Sequence, residues 1–296
     1  MRSGKGATCH EENMASKTVY SVADAIQWGV QAAIVSSPAT LHLEQAKELA
    51  ENNVHLLIEK PVSYVSDGID QLSKTVIDKK IVVLIGYALR YDKGAIKFKE
   101  WLSNKIVGKI LHARIECGSY LPDWRPDQDY RKTVSASREL GGGVLLELSH
   151  ELDYLYWFFG KPVDVVANIR NSNTLDVNVE DQADLLLTSQ DGYPISVQLD
   201  FTRRNHARTC KVLTSEGELI WDAINKTVIL RVVNNEPEIY TYNNDKDYIY
   251  RQQMESFFVS IDQDIEPTVS VREGLDVMKL IDAARLAENK GCKIEL

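Results

Sequence analysis

The chain has 296 residues, of which 44% are hydrophobic and 26% charged, and its formal net charge is −9. That length holds two domains with separate cores, and the balance is that of an ordinary globular protein. The negative charge and dispersed basic residues exclude a nucleic-acid footprint or an anionic membrane surface as the partner, and no apolar run reaches the length of a bilayer span.

The 4 cysteines lie far apart, with no Cys-x-x-Cys pair, and read as reduced thiols of a cytoplasmic protein. Residues 1–16 are polar and carry no signal core. Gly4-Lys5-Gly6-Ala7-Thr8-Cys9 superficially resembles a phosphate loop. It lacks a third glycine, a preceding strand and a following apolar helix, and reads as loop.

Ser21 followed by Asp24 is an N-cap signal for a short helix. Residues 32–35 are an apolar strand stopped at Ser36-Ser37-Pro38, and Thr40 caps a helix over 41–52. A second strand over 54–58 ends at Glu59-Lys60-Pro61, followed by a helix over 66–79 and a third strand over 81–85 that closes at Gly86-Tyr87. Continuous apolar strands alternating with helices predict a parallel sheet covered on both faces. Ligands then gather at the carboxyl ends of its strands, where Lys60 stands.

A helix is expected over 89–102, and near residue 105 the grammar changes. Strands are predicted over 110–116, 163–170, 182–189, 195–201, 209–214, 218–221 and 227–233, joined by turns such as Gln190-Asp191-Gly192. This half is a mainly antiparallel sheet. Helices over 250–262 and 271–289 close the chain.

Between the first two of those strands, Gly141-Gly142-Gly143 opens a helix on which Glu147, His150, Asp153 or Tyr154, and Trp157 share one face. Leucines 145, 148, 152 and 155 anchor it. The glycines allow close approach of backbone to a ligand. A lysine held beside a pocket can lose its proton through desolvation, and a lysine and a histidine at one pocket can move a hydroxyl proton. Glu147-x-x-His150 is also di-iron spacing, but no second copy exists, so no metal is expected. The linker 118–138 carries Tyr120, Trp124, Arg125, Tyr130, Arg131 and Arg138, residue types that stack on sugar rings and hold anions. The acidic Asp123, Asp127, Asp129 and Glu139 are equally able to pair with those arginines.

Together, Ser37-Pro38 with His42, Glu59-Lys60-Pro61, Gly86-Tyr87 through Arg90, and the glycine-opened helix with His150 resemble the glucose–fructose oxidoreductase/inositol dehydrogenase (Gfo/Idh/MocA) family from Ala32 to Leu296. The resemblance implies an α/β Rossmann-like domain over 1–105 and an α+β domain with an open, mainly antiparallel sheet over 106–296. The last helix, about 271–289, packs back toward the first domain. It implies an NAD- or NADP-dependent oxidoreductase acting on a secondary hydroxyl of a sugar, sugar nucleotide or cyclitol, assembled as a homodimer or tetramer. Lys60 would contact hydroxyl and nicotinamide, and His150 would exchange the proton. Ser37, Pro38, His42, Glu59 and Tyr87 would line the cofactor. Arg90, Glu147 and Asp153, with the linker residues, would meet the substrate, and the Lys60–Pro61 bond would be cis.

Two departures stand out. Glu147 takes the place of a family aspartate one residue further from the histidine. The opening strand–Gly-x-Gly-x-x-Gly–helix is not found, so the chain reads as starting about 30 residues into a βαβ unit. Arg2 and Ser3 then fall where such folds select the adenosine ribose, the arginine favouring NADP. A non-catalytic sugar-binding protein of the same fold is the alternative reading.

Overall fold

A computed structural model describes residues 15–106, 108–245 and 247–296. The phosphate-loop-like segment and the Arg2–Ser3 expectation lie outside these residues. Helix α1 (Val22–Gln27) starts as predicted, with Ser21 Oγ accepting from the Asp24 amide at 3.0 Å.

The first sheet is β1 (Ala32–Val35), β2 (His55–Ile58) and β3 (Val83–Ile85), parallel and in that order. Its register sets Ala33 beside Leu56 and Leu57 beside Leu84. Helices α2 (Ala39–Glu51) and α3 (Ile69–Lys79) link the strands. Leu57, Val82 and Leu84 form a small second cluster with Phe257 of α7 (Tyr248–Gln263), so a helix from the far end of the chain covers that face.

The expected helix over 89–102 is two elements. Ala88–Tyr91 is a 3-10 turn, and α4 (Lys93–Asn104) begins only after Asp92. The Asp92 carboxylate accepts from the Gly94 and Ala95 amides at 2.8 and 2.9 Å, a local N-cap that outcompetes a continuous helix.

The second sheet contains β4 (Ile110–Gly118), β5 (Asp164–Arg170), β6 (Gln182–Thr188), β7 (Pro194–Asp200), β8 (Ala207–Thr214), β9 (Gly217–Asp222), β10 (Thr227–Val232), β11 (Glu238–Thr241) and β12 (Ile294–Glu295). Its order is β11-β10-β9-β8-β4-β7-β6-β5-β12. Only β4 and β7 pair in parallel; every other neighbour is antiparallel. That parallel pair requires a crossover, and the crossover carries α5 (Val144–Glu147) and α6 (His150–Phe159) beneath the sheet. The edge strands β11 and β12 were not anticipated: they are short, and Glu238 and Ile239 on β11 are exposed, so neither has a strong apolar signal.

Helix α6 is fixed by burial. Leu152, Tyr154 and Leu155 are wholly inaccessible and Phe158 nearly so, at roughly 1.5–3 kcal/mol for each apolar side chain. Helix α8 (Val271–Lys290) begins with a reciprocal cap between Ser270 and Glu273. Gly274 lets it lie against the first sheet: a Cβ there would sit 3.1 Å from Ile85 and 3.3 Å from Val62. The main core cluster runs without interruption from Val35 and Ile58 through Leu152 and Leu199 to Ile281. Both halves share it.

Candidate active site

Lys60 follows β2, and the bond from it to Pro61 is cis. Its ammonium donates to the main-chain carbonyl of Glu147 at 2.8 Å and lies 3.6 Å from the Glu147 carboxylate. The carbonyl is free because the expected single helix is broken. Helix α5 ends at Glu147, and the Glu151 amide turns back to Leu148 instead, at 3.2 Å. The break at Leu148 and Ser149 therefore creates the acceptor that holds Lys60. It also means that Glu147 and His150 belong to different helices, contrary to the one-face reading.

The glycine run has a different use from the one expected. A Cβ on Gly142 would stand 2.2 Å from the Val134 carbonyl, and one on Gly143 would stand 2.4 Å from the Glu180 carboxylate. The space is taken by the protein itself. Gly141 and Gly143 also adopt positive φ of 80° and 110°, which favours glycine.

His150 is the first residue of α6, and its Nδ1 is buried without a hydrogen-bond partner. Tyr87 meets the ring edge-on, with centroids 5.6 Å apart. Burial, then the charge of Lys60, then that of Arg208, hold the imidazole well below its usual 6.5. The ring is accordingly neutral at neutral pH, the form that accepts a proton. Arg208 belongs to a half-buried pair that sequence reasoning missed: its Nε donates to Glu151 at 2.9 Å, and Glu151 is fully buried. A signal was available. Arg208 falls in the same alternating register as the buried Cys210 and Val212 of β8, and a charge on a core-facing row requires a partner.

Ser37, Pro38, Glu59 and Lys60 gather at the carboxyl ends of β1 and β2. Burial raises the Glu59 carboxyl, against the opposing pull of Lys60 and His42. His42 is buried, with Nδ1 2.8 Å from the Pro61 carbonyl and Nε2 2.6 Å from the Ser37 carbonyl. It ties the two strand ends together and keeps no ring nitrogen for a ribose hydroxyl. Tyr87 is fully buried and packs edge-on against His150.

Arg90 and Asp153, expected at the substrate, hold each other. Two guanidinium nitrogens donate to the carboxylate at 2.8 and 2.9 Å, both side chains are almost wholly buried, and Arg90 lies over the Trp157 ring. A buried guanidinium and carboxylate satisfy each other before any ligand arrives. The linker likewise closes on itself. Trp124 donates to Ser119 Oγ at 2.6 Å and packs edge-on to Phe201, while Tyr120 lies beneath Arg204. The Tyr130 hydroxyl accepts from the Asp176 amide at 3.4 Å, and exposed Arg131 pairs with Asp129 and Asp176. The gap among Leu121, Trp124, Arg125 and Tyr130 is about 20 Å³, room for a water rather than a sugar. Arg138 lies elsewhere, beside Asn178. Of the predicted residues, the fold thus sets Lys60 against Glu147 and beside His150, with Ser37, Pro38 and Glu59 at the adjoining strand ends.

Among the described residues no group of three or more His, Cys, Asp or Glu side chains could hold a metal ion. No helix among them is long and apolar enough to cross a membrane.

Residues 3–87 match the oxidoreductase family with an NAD-binding Rossmann fold, and residues 95–220 match the GFO/IDH/MocA C-terminal domain. The chain belongs to the Gfo/Idh/MocA oxidoreductase family. An uncharacterized oxidoreductase of Synechocystis is 28% identical over 182 residues, covering 57% of this chain and 48% of that protein, so the match spans about half of that relative. The myo-inositol 2-dehydrogenase of Thermotoga maritima is 24% identical over 281 residues, covering 90% of this chain and 80% of the relative. A levoglucosan dehydrogenase solved with NADH and levoglucosan superimposes with a TM-score of 0.84 at 17% identity, covering 94% of this chain and 83% of the other. At that identity the likeness shows the fold.

Proposed function

We propose that this protein is an NAD- or NADP-dependent oxidoreductase acting on a secondary hydroxyl or ketone of a sugar, sugar nucleotide or cyclitol. The observation that carries the reading is the seating of the Lys60 ammonium on Glu147, where its charge acts on the neutral imidazole of His150. A cation that donates to a substrate oxygen and a neutral base for its proton are the two groups that oxidation of an alcohol needs from a protein. The nicotinamide, when bound, supplies the hydride acceptor or donor.

The strand ends fit the nicotinamide half of such a cofactor. Ser37, Pro38, Glu59 and Lys60 form a shelf that His42 holds in place. A glycine-rich strand-to-helix turn for the pyrophosphate is not among the described residues. Lys60 orients the reacting oxygen, and His150 takes its proton during oxidation and returns it during reduction. Glu147 positions Lys60 through its carbonyl and offers its carboxylate to a neighbouring hydroxyl. Tyr87 keeps the back of the imidazole dry.

The exposed Val166–Leu186 pair on the open face of the second sheet, with Leu213 exposed on β8, supports assembly into dimers or tetramers. The scattered cysteines, two of them buried, support a reducing cytoplasmic location.

Titrating NADH and NADPH fluorescence against the protein, then screening free and nucleotide-linked sugars for turnover, tests the proposal. Nicotinamide binding with turnover reduced about 10²-fold or more in Lys60→Met and His150→Asn is the expected result. Sugar binding without nicotinamide binding would replace it with the reading of a non-catalytic ligand-binding protein.

A further inference from the structure

A cavity of about 600 Å³ opens between the C-terminal half of α8, the end of β5, residues 178–180 and the glycine run. Its volume lies within the range of small-molecule sites. Neither Lys60 nor His150 lines it. Its apolar floor includes Leu146 and Ile169, and three guanidinium groups, Arg138, Arg170 and Arg285, border it together with the carboxylates of Glu180 and Glu288.

The hydrogen bonding of this lining is unfinished. Arg138 donates through Nε to the Asn178 carbonyl at 3.3 Å, and Arg170 through Nε to Gln182 at 2.8 Å. Among the described residues, the terminal nitrogens of both have no hydrogen-bond partner. Arg285 reaches the Tyr64 carbonyl at 3.4 Å, and its Nη2 stands 3.9 Å from Glu180 Oε1, too far for a hydrogen bond. Glu180 Oε1 is buried without a donor. Glu288 accepts through Oε2 from the Ile169 amide at 2.9 Å. Burial raises the Glu180 carboxyl, against the opposing pull of Arg285 and Arg138.

We propose that this cavity is a binding site for a small hydroxylated anion, a sugar acid or sugar phosphate. The unspent guanidinium nitrogens hold its anionic group, and one hydroxyl donates to Glu180 Oε1. Guanidinium forks suit carboxylate and phosphate oxygens, the buried acceptor calls for a hydroxyl on the same ligand, and the leucine and isoleucine suit the C–H groups of a sugar skeleton.

Isothermal titration of the protein with gluconate, glucose 6-phosphate and glucose, in the absence of any nicotinamide, tests the site. Saturable binding of gluconate identifies a carboxylate ligand, and saturable binding of glucose 6-phosphate a phosphate ligand. Glucose is expected to bind about ten-fold more weakly than the preferred anion, and Arg285→Met and Arg170→Met each to weaken that anion by about ten-fold while thermal unfolding stays near wild type. Absence of binding by both anions, equal binding of glucose, or unchanged affinity in both variants would overturn the proposal. Because no cofactor or turnover enters the assay, its failure is separate from failure of the oxidoreductase reading.

Discussion

The ammonium of Lys60 is held by the main-chain carbonyl of Glu147, 87 residues further along the chain, at 2.8 Å. A backbone acceptor makes this link independent of the side chain at position 147. It depends on the helix break after Glu147, which leaves the carbonyl without a helical donor. The carboxylate adds a looser contact at 3.6 Å, with about a fifth of each side chain still exposed.

Glu147→Gln is therefore expected to leave Lys60 in place and to reduce kcat only several-fold, because a partly exposed ion pair is worth about 0–1 kcal/mol. Lys60→Arg should be far more damaging, since a planar fork cannot occupy the seat of a compact ammonium. Steady-state kinetics of the two variants decide the point. A collapse of activity in Glu147→Gln would show the carboxylate to be the true anchor.

The pH behaviour follows from the depressed imidazole of His150. A base that is neutral well below 6.5 keeps alcohol oxidation flat as pH falls through that value, with loss only at lower pH. Stability carries the corresponding sign. The unfolded histidine binds a proton near 6.5 and the native one does not, so the folded state loses ground as pH falls below that value. His150→Asn should lessen that acid sensitivity. Urea midpoints of both proteins measured at pH 7.5 and 5.5 test it, and parallel losses would refute it.

Arg90→Met should cost about 3–5 kcal/mol, because it leaves the Asp153 carboxylate buried without its fork. Asp153→Leu added to Arg90→Met should recover much of that loss. Denaturant unfolding of both variants checks the coupling. A cost below 1 kcal/mol for the single substitution would mean that Asp153 finds another partner.

Gly143→Ala places a methyl 2.4 Å from the Glu180 carboxylate at a φ of 110°. Strain of this kind costs on the order of 1–3 kcal/mol, and the shift should propagate to Glu147 and its hold on Lys60. We expect a lowered thermal midpoint together with reduced kcat. Thermal unfolding and kinetics on the same preparation test both effects, and a fully active Gly143→Ala would show that the two segments move independently.

Much of the architecture was legible in residue order. Three apolar strands alternating with amphipathic helices announced a parallel sheet, and short alternating strands announced an antiparallel one, because each layer must bury its own apolar surface. The positions of Lys60 just after an apolar strand and of His150 on a leucine-rich helix were legible as well.

What tertiary structure decided was which polar groups find partners inside the protein. Arg90 with Asp153 and Arg208 with Glu151 are pairings across long stretches of chain that no local pattern specifies. The glycine run shows the same division: its composition foretold a close approach, but only the fold determined that Val134 and Glu180 close on Gly142 and Gly143. Residue order encodes periodicity and burial, which are local and additive. The fate of a buried charge depends on which distant group the assembled core sets against it.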